Sequence, residues 1–308
     1  MKYKKITIIV ITYNQEGIVG RCLDSILCQR EYGLKDIIIC DDCSTDNNWN
    51  VIQEYKRKYS DVIRAYRNDH NKGIYGNLQQ ALTYIESTDL IQMCSGDDAF
   101  CLGYFNTIQN FIIQHDITNF NEKFVIYSDW KTFTTESKEY VHYNNYISKG
   151  YSAISLKLRQ LIGNRSTFLS YSTIKSFNKV PVNEGVSVAE NLFDCQTQIH
   201  SDYNYYCPFI GTIYYSGIGV STKMNTVSHI KNLILSYERL RELGIYDKKD
   251  LYYINYKISR LSFIIDKSVI LFLKTWYYYF KSIRYKLDLK FICRDFLIMI
   301  IKCIYSHE

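Results

Sequence analysis

The chain opens with Ile6-Thr-Ile-Ile-Val-Ile-Thr12, a run in which every residue is β-branched and no polar alternation appears. That pattern predicts a strand covered on both faces. Polar residues 13–17 follow, after which Ile18, Val19, Cys22, Leu23, Ile26 and Leu27 recur at helical spacing. The succession then repeats. Asp36–Cys40 reads as a second strand, leading to a helix that carries Val51, Ile52 and Tyr55, with Asp46 or Asn47 as its N-cap. Val62–Tyr66 is a third strand, followed by a polar turn at 68–73 and a helix marked by Leu78, Ala81, Leu82 and Ile85; residues 89–94 form a fourth strand. Strand and helix alternating at such short spacing predict a parallel sheet with right-handed crossovers.

Further on, residues 101–115 read as a helix with Phe105, Ile108, Phe111 and Ile112 inward, and 124–129 as another strand. Residues 130–165 are polar, Tyr-rich and weakly periodic, and read as an insertion. His229–Leu243 reads as an amphipathic helix. From Tyr252 onward, dense aromatic and aliphatic stretches are broken by Lys and Arg, notably Val269–Phe280 and Phe296–Lys302. Neither reaches the ~18 uncharged residues of a spanning helix.

Composition adds three points. A length of 308 residues with 47% hydrophobic and 22% charged positions suits one full core or a core plus an appendage. The net charge of +6 is uneven: residues 1–229 carry 22 Lys/Arg and 23 Asp/Glu, residues 230–308 carry 15 and 8. The ten cysteines sit mostly inside apolar runs and no secretory leader pattern opens the sequence, so a reducing, cytoplasmic setting is expected. Cys40-Asp-Asp-Cys43 has CxxC spacing. No second pair completes a zinc site, and the two carboxylates between the thiols oppose thiolate formation, which excludes zinc and redox chemistry there.

The candidate chemistry lies where the strands end. The fourth strand runs into Ser95-Gly-Asp97-Asp98, a bare pair of carboxylates. Such a pair repels itself unless a cation sits between it and an anion, and Mg²⁺ or Mn²⁺ commonly takes one or two protein carboxylates and fills its remaining positions with water and substrate phosphates. Thr12-Tyr13-Asn14 after the first strand and Asp41-Asp42 after the second belong to the same rim, because open α/β sheets bind ligands beyond their strand carboxyl ends. A Walker loop and a GxGxxG turn are both absent.

In order and spacing, Ile9-Val-Ile-Thr-Tyr-Asn14, Asp41-Asp-Cys-Ser-Thr-Asp46, Asn71-Lys-Gly73 and Ser95-Gly-Asp-Asp98 resemble the nucleotide-sugar half of family 2 glycosyltransferases of the GT-A fold, over roughly residues 5–220. The resemblance implies an α/β catalytic domain over 1–225, with 1–100 as the nucleotide-sugar half and 101–225 as the acceptor half, and a basic helical segment over 226–308. It implies that Thr12, Tyr13 and Asn14 line the nucleotide pocket, that Asp42 bonds the base, usually uracil, and that Asn71 borders the diphosphate. Asp97 then faces the ribose or metal, and Asp98 ligates Mn²⁺ or Mg²⁺. Ile11 stands where the family often has Pro, Cys43 where it often has Gly, and Ser95 where it often has the first Asp of its DxD motif.

Val188-Ala-Glu190-Asn191-Leu-Phe-Asp194 resembles the family's Glu-Asp motif beneath the acceptor. Inverting transfer needs a carboxylate within reach of the acceptor hydroxyl. Asn191 occupies the usual base position and cannot accept a proton, which leaves Glu190, our first choice, or Asp194. The resemblance thus implies transfer from a nucleotide-diphosphate sugar, UDP-linked in most of the family, to a saccharide or lipid-linked saccharide in capsule, O-antigen or lipooligosaccharide synthesis. Asn191 keeps open a second class, a catalytically weak protein that binds nucleotide sugar or a partner enzyme. The basic, apolar C-terminal segment either lies peripherally on an anionic membrane or packs on the protein or a twin subunit. Its aromatic and aliphatic runs are too continuous for a solvated groove, so no nucleic-acid partner is expected.

Overall fold

A computed structural model describes residues 3–177, 195–217 and 227–283. They fall into two compact units, the second beginning with residue 227 among the described residues.

In the first unit, strand β1 (Ile6–Thr12) lies between β2 (Leu34–Asp41) and β4 (Leu90–Ser95), parallel to both, with β3 (Ile63–Arg67) parallel beyond β2. Its unbroken β-branched run is buried on both faces, as a central strand requires. Helices α1 (Val19–Leu27), α2 (Asn48–Lys58) and α3 (Gly73–Leu82) make the crossovers. α1 buries Val19, Cys22, Leu23, Ile26 and Leu27, the predicted stripe, with Ile18 at its N-cap position. Of the two N-cap candidates for α2, Asn47 holds the cap position without a side-chain bond to the helix, and Asp46 before it supplies one, its Oδ1 accepting Asn48 N at 3.0 Å. α3 begins at Gly73, several residues ahead of its apolar stripe, so the Asn71-Lys72 turn sits at its N-terminus. The core beneath includes Ile8, Val10, Leu23, Ile26, Ile37 and Ile39.

The sheet continues through β8 (Thr167–Ser170), β6 (Phe124–Phe133) and β9 (Tyr203–Tyr215) to the two-residue β5 (Ala99–Phe100). β8 is antiparallel to both β4 and β6, and β9 runs parallel to β6. Helix α4 (Tyr104–Gln114) buries Phe105, Ile108, Phe111 and Ile112 as its spacing predicts. The 130–165 insertion is more regular than its sequence suggests. β6 extends to Phe133 and turns back into β7 (Glu139–His142), and a 3₁₀ turn (Ile147–Lys149) and α5 (Ala153–Leu158) come next; beyond β8 lies α6 (Tyr171–Lys175). Because β1 leads to β2 on one side and β3 returns to β4 on the other, the strand order reverses at β1/β4. Open α/β sheets bind ligands at such a reversal, beyond the strand carboxyl ends.

The second unit holds α7 (Val227–Glu242), α8 (Lys248–Ile265) and α9 (Val269–Ser282). Asp247 caps α8 through Oδ1, which accepts Lys249 N and Asp250 N at 3.0 Å each. α8 and α9 meet through aromatic pairs, Tyr256 on Tyr279 at 4.8 Å and Phe263 on Phe272 at 5.8 Å. No described helix is long and apolar enough to cross a membrane. The stretch Phe296–Lys302 lies outside the described residues.

Candidate functional site

Three loops meet at the β1/β4 reversal. Asp42 N donates to Thr12 O at 2.9 Å and Gly96 N to Ile11 O at 2.9 Å, which holds the ends of β2 and β4 against the end of β1. Gly96 permits that approach: a Cβ there would stand 2.5 Å from Gln15 Oε1 and 3.0 Å from Thr12 Cβ. Thr12 is buried, its Oγ1 bonding Gln15 Oε1 at 2.7 Å and accepting Asn48 Nδ2 at 3.1 Å. Asn14 adopts a left-handed φ of +52°, which Asn tolerates. Its N–H donates to Ser44 Oγ at 2.9 Å and its Oδ1 accepts Thr45 N at 2.8 Å, tying the first two loops together. Tyr13 is exposed beside them.

The carboxylates of the β2 loop divide their work. Asp41 is fully buried and saturated: Oδ1 accepts Ser44 N at 2.9 Å and faces Arg67 Nε at 3.4 Å, while Oδ2 accepts Ser44 Oγ at 2.5 Å and Asn48 Nδ2 at 2.7 Å. Asp42 places only Oδ1 in bonds, from Asn68 Nδ2 at 2.7 Å and Lys72 N at 2.8 Å. Oδ2 takes none from a described residue. Asn68 also donates to Asn77 Oδ1 at 3.0 Å, and Asn77 Nδ2 to Cys40 O at 2.9 Å, so this orientation is fixed by α3. Asn71 is exposed at the start of α3, where its Oδ1 accepts Gly73 N at 3.0 Å. Cys43 takes a φ of +61°, a conformation that costs a side chain and explains why glycine suits this position. Cys40 and Cys43 are both free thiols, and burial pushes Cys40 up to about 12, in line with the exclusion of redox chemistry.

The β4 loop is different. Asp97 and Asp98 are both buried, yet the Asp97 carboxylate takes no hydrogen bond or ion pair from a described residue. Asp98 Oδ2 faces Arg165 Nη1 at 3.6 Å, and its Oδ1 is buried without a partner. Burial pushes the Asp98 carboxyl up to about 7; Arg165, the Tyr215 backbone and Arg21 oppose that rise, and Asp97 adds to it. Arg21 of α1 donates from Nη2 to Asp97 O at 2.5 Å and lays its guanidinium over the Tyr215 ring at 3.5 Å. Arg165 stacks on Tyr214 at 3.6 Å. The backbone of Arg165 is pinned, since its carbonyl accepts Gln92 Nε2 at 3.3 Å and Thr212 Oγ1 at 3.1 Å. Consecutive tyrosines at the end of β9 thus hold two guanidinium groups against the Asp97-Asp98 turn.

Hard carboxylate oxygens, one of them buried and orphaned, suit a hard divalent cation. Among the described residues no cluster of three His, Cys, Asp or Glu is placed to hold a metal unaided. Asp98, with Asp97 beside it, is therefore the donor set on offer, and a diphosphate and water complete such a shell.

The structure brings Thr12, Tyr13, Asn14, Asp42, Asn71, Asp97 and Asp98 to one rim. Glu190, Asn191 and Asp194 lie outside the described residues, as does the loop after Gly217. Sequence reasoning missed Arg21 and Arg165. Arg21 lies beside the apolar stripe of α1, and nothing local marks it; Arg165 closes the weakly periodic 130–165 stretch, which carries no motif. Asp129, at the middle of β6, is a buried carboxylate that accepts Tyr206 OH on both oxygens at 3.1 and 2.9 Å and Asn144 N on Oδ1 at 2.8 Å. Burial raises its pKa, and these bonds oppose the rise. Its oxygens are spent on holding β6 to β9 and to the chain after β7.

The profile of Glycosyl transferase family 2 matches residues 7–181. Among curated relatives, the "Putative glycosyltransferase EpsE" of Bacillus subtilis is 34% identical over 94 residues, 30% of this chain and 33% of that protein. The matched stretches span about a quarter to a third of the length of the first such relatives, 26% for an uncharacterized mycobacterial protein. Among solved structures, Staphylococcus aureus TarS 1-349 in complex with UDP-GlcNAc shares the fold with a TM-score of 0.60 at 13% identity, covering 89% of this chain and 79% of that one. The mannosyltransferase PcManGT of Pyrobaculum calidifontis, solved with GDP-Man and Mn2+, aligns with a TM-score of 0.55 at 11% identity over 100% of this chain and 89% of its own.

Proposed function

We propose that this chain, which belongs to glycosyl transferase family 2, moves a sugar from a UDP-sugar to a hydroxyl of a saccharide acceptor with inversion at the anomeric carbon. The observation that carries the reading is the pairing of two half-used carboxylates on one rim. Asp42 keeps one oxygen without a described partner, suited to a base N–H, and Asp98 keeps a buried orphan oxygen, suited to a cation. A structural neighbour of the same fold was solved with UDP-GlcNAc, which supports UDP as the nucleotide.

In this reading Thr12, Tyr13 and Asn14 border the base and ribose, Asn71 lies near the diphosphate at the start of α3, and Asp97 faces the ribose. Asp98 would hold Mn²⁺ or Mg²⁺, and the ion would supply positive charge to the diphosphate leaving group. Arg21 and Arg165 add fixed positive charge beside that leaving group. Glu190 takes the proton from the acceptor hydroxyl, with Asp194 as the alternative base. The acceptor is a saccharide or lipid-linked saccharide at the inner face of the cytoplasmic membrane, extended into a surface polysaccharide. Asn191, where the family commonly has Asp, favours one rival: a protein that binds nucleotide sugar or a partner enzyme and turns over weakly.

Calorimetric titration with UDP, GDP and CDP, with and without Mn²⁺, tests the nucleotide and the metal together. Metal-dependent binding of UDP alone is expected. Binding of no nucleotide would sink the reading. If wild type shows no transfer over a broad donor and acceptor panel while UDP still binds, the binding-only rival stands. If Glu190→Gln leaves turnover unchanged, Glu190 is not the base.

A further inference from the structure

Helix α9 carries apolar residues on two faces, Phe272 and Tyr279 toward α8 and a second stripe outward. Against α8 it buries Thr275 and Ser282 together with Tyr279, the two hydroxyls satisfied by backbone carbonyls of their own helix. Its outer face carries Val269, Ile270, Leu273, Tyr277 and Phe280, exposed by 71, 64, 62, 54 and 59%. At 100° per residue these five fall on one stripe about 100° wide. A soluble helix puts such a stripe inward.

Charge says what covers the stripe. Lys274 and Lys281 are exposed at seven-residue spacing, which sets them in a column along one border of it, and Lys267 is exposed just ahead of the helix, next to the exposed Asp266. α9 contains no acidic residue. Lysines bordering an apolar face lay their methylenes along it while their ammonium groups reach anionic headgroups. At 14 residues α9 is about 21 Å long, too short to span a bilayer but suited to lying in its interface. Two-fold pairing of this helix with a second copy brings two lysine columns and no carboxylate of α9 to one seam, which disfavours self-association.

We infer that the outer face of α9 is a docking surface for an anionic lipid bilayer, with Leu273 and Phe280 inserted among the acyl chains and the lysine column on the headgroups. Vesicle binding needs no donor, acceptor or metal, so it is decided independently of the transferase reading.

The test uses the full chain, sedimented with vesicles of phosphatidylcholine with and without phosphatidylglycerol. Binding is expected only where phosphatidylglycerol is present, weakening at least tenfold as salt shortens the Debye length from about 10 Å to about 3 Å. The double variant Leu273→Glu/Phe280→Glu is expected to lose vesicle binding at least tenfold while its thermal midpoint holds, because both side chains are exposed. The triple variant of Lys267, Lys274 and Lys281 to Gln is expected to lose the preference for phosphatidylglycerol. Absence of binding to anionic vesicles, unchanged binding by the double variant, or a wild-type dimer that the double variant converts to monomers without any vesicle binding would each overturn the inference.

Discussion

The same dipeptide, Asp-Asp, ends two neighbouring regions of the rim, and its carboxylates do opposite things. At the end of β2, Asp41 is saturated by Ser44, Asn48 and Arg67, and Asp42 is half saturated by Asn68 and Lys72. At the end of β4, the Asp97 carboxylate has no described partner, and Asp98 has a guanidinium at 3.6 Å and the Tyr215 backbone, with Oδ1 left buried and unpaired. The difference comes from the residues next along the chain. After β2, a Ser-Thr-Asp turn and a helix supply Asp41 with an amide, a hydroxyl and a carboxamide within seven residues, and the turn into α3 supplies Asp42 with a carboxamide and an amide. After β4, the chain turns at once into the two-residue β5 and offers nothing. One pair is architecture with a single oxygen to spare, and the other is charge awaiting a counter-charge.

The comparison breaks most visibly if the two pairs are truncated in turn. Asp98→Ala is expected to reduce transfer by at least about 10³-fold, a loss of order 4 kcal/mol in the transition state, while the thermal midpoint is kept or raised because a buried carboxyl with an orphaned oxygen is gone. Turnover with a UDP-sugar, alongside thermal unfolding, checks both halves. Asp41→Ala is expected to do the reverse and destabilise by about 3 kcal/mol, since it strands buried donors; urea unfolding measures it, and a loss under about 1 kcal/mol would contradict the structural role.

Two smaller effects sharpen the β4 side. Arg165→Gln removes the only described cation paired with Asp98, and is expected to tighten Mn²⁺ binding by about tenfold, or about 1.4 kcal/mol, read by calorimetry without nucleotide; unchanged or weaker binding argues that Arg165 does not compete. Proton and cation also compete. Because burial holds Asp98 near 7, apparent Mn²⁺ affinity is expected to fall about tenfold per pH unit below 7 and to level off above it. Without metal, a carboxyl raised above its unfolded value contributes stability that is present below about pH 4 and is lost as pH rises through 7. Mn²⁺ should therefore raise the thermal midpoint more at pH 8 than at pH 6.

The smallest effect belongs to the β2 side. Cys43→Gly relieves a left-handed backbone and is expected to stabilise by about 0.5 kcal/mol, the gain being limited by the entropy glycine adds to the unfolded chain. Urea unfolding of the variant beside wild type measures it.

Much of this rim was legible because strong local patterns wrote it. β-branched runs gave β1 and β2, helical spacing gave the buried face of α1 and α4, and strand ends located Thr12, Asp42 and Asp98. Illegible were features made by distant partners. Arg21 meets the carbonyl of a residue 76 positions later, and Arg165 reaches Asp98 across 67 positions. The hairpin of β6 with β7 was hidden because Trp130 to Phe133 is only half buried and lacks clean alternation. β8 is four residues long and draws its definition from β4 and β6 on either side.

β5 pairs with the end of β9, Ala99 against Ile213, and the two tyrosines just beyond clasp the arginines at the Asp97-Asp98 turn. A chain emerging from the ribosome therefore has its β1–β4 layer and base-side loop available more than a hundred residues before the clasp exists. Pairings of such sequence separation form late, after the loop entropy between them has been overcome. Under the proposed function, the half that would grip the base can assemble early, while the half that would handle the diphosphate waits for the last strand. On that proposal, any truncation ahead of Tyr215 would leave a nascent nucleotide binder that lacks the means to use what it holds.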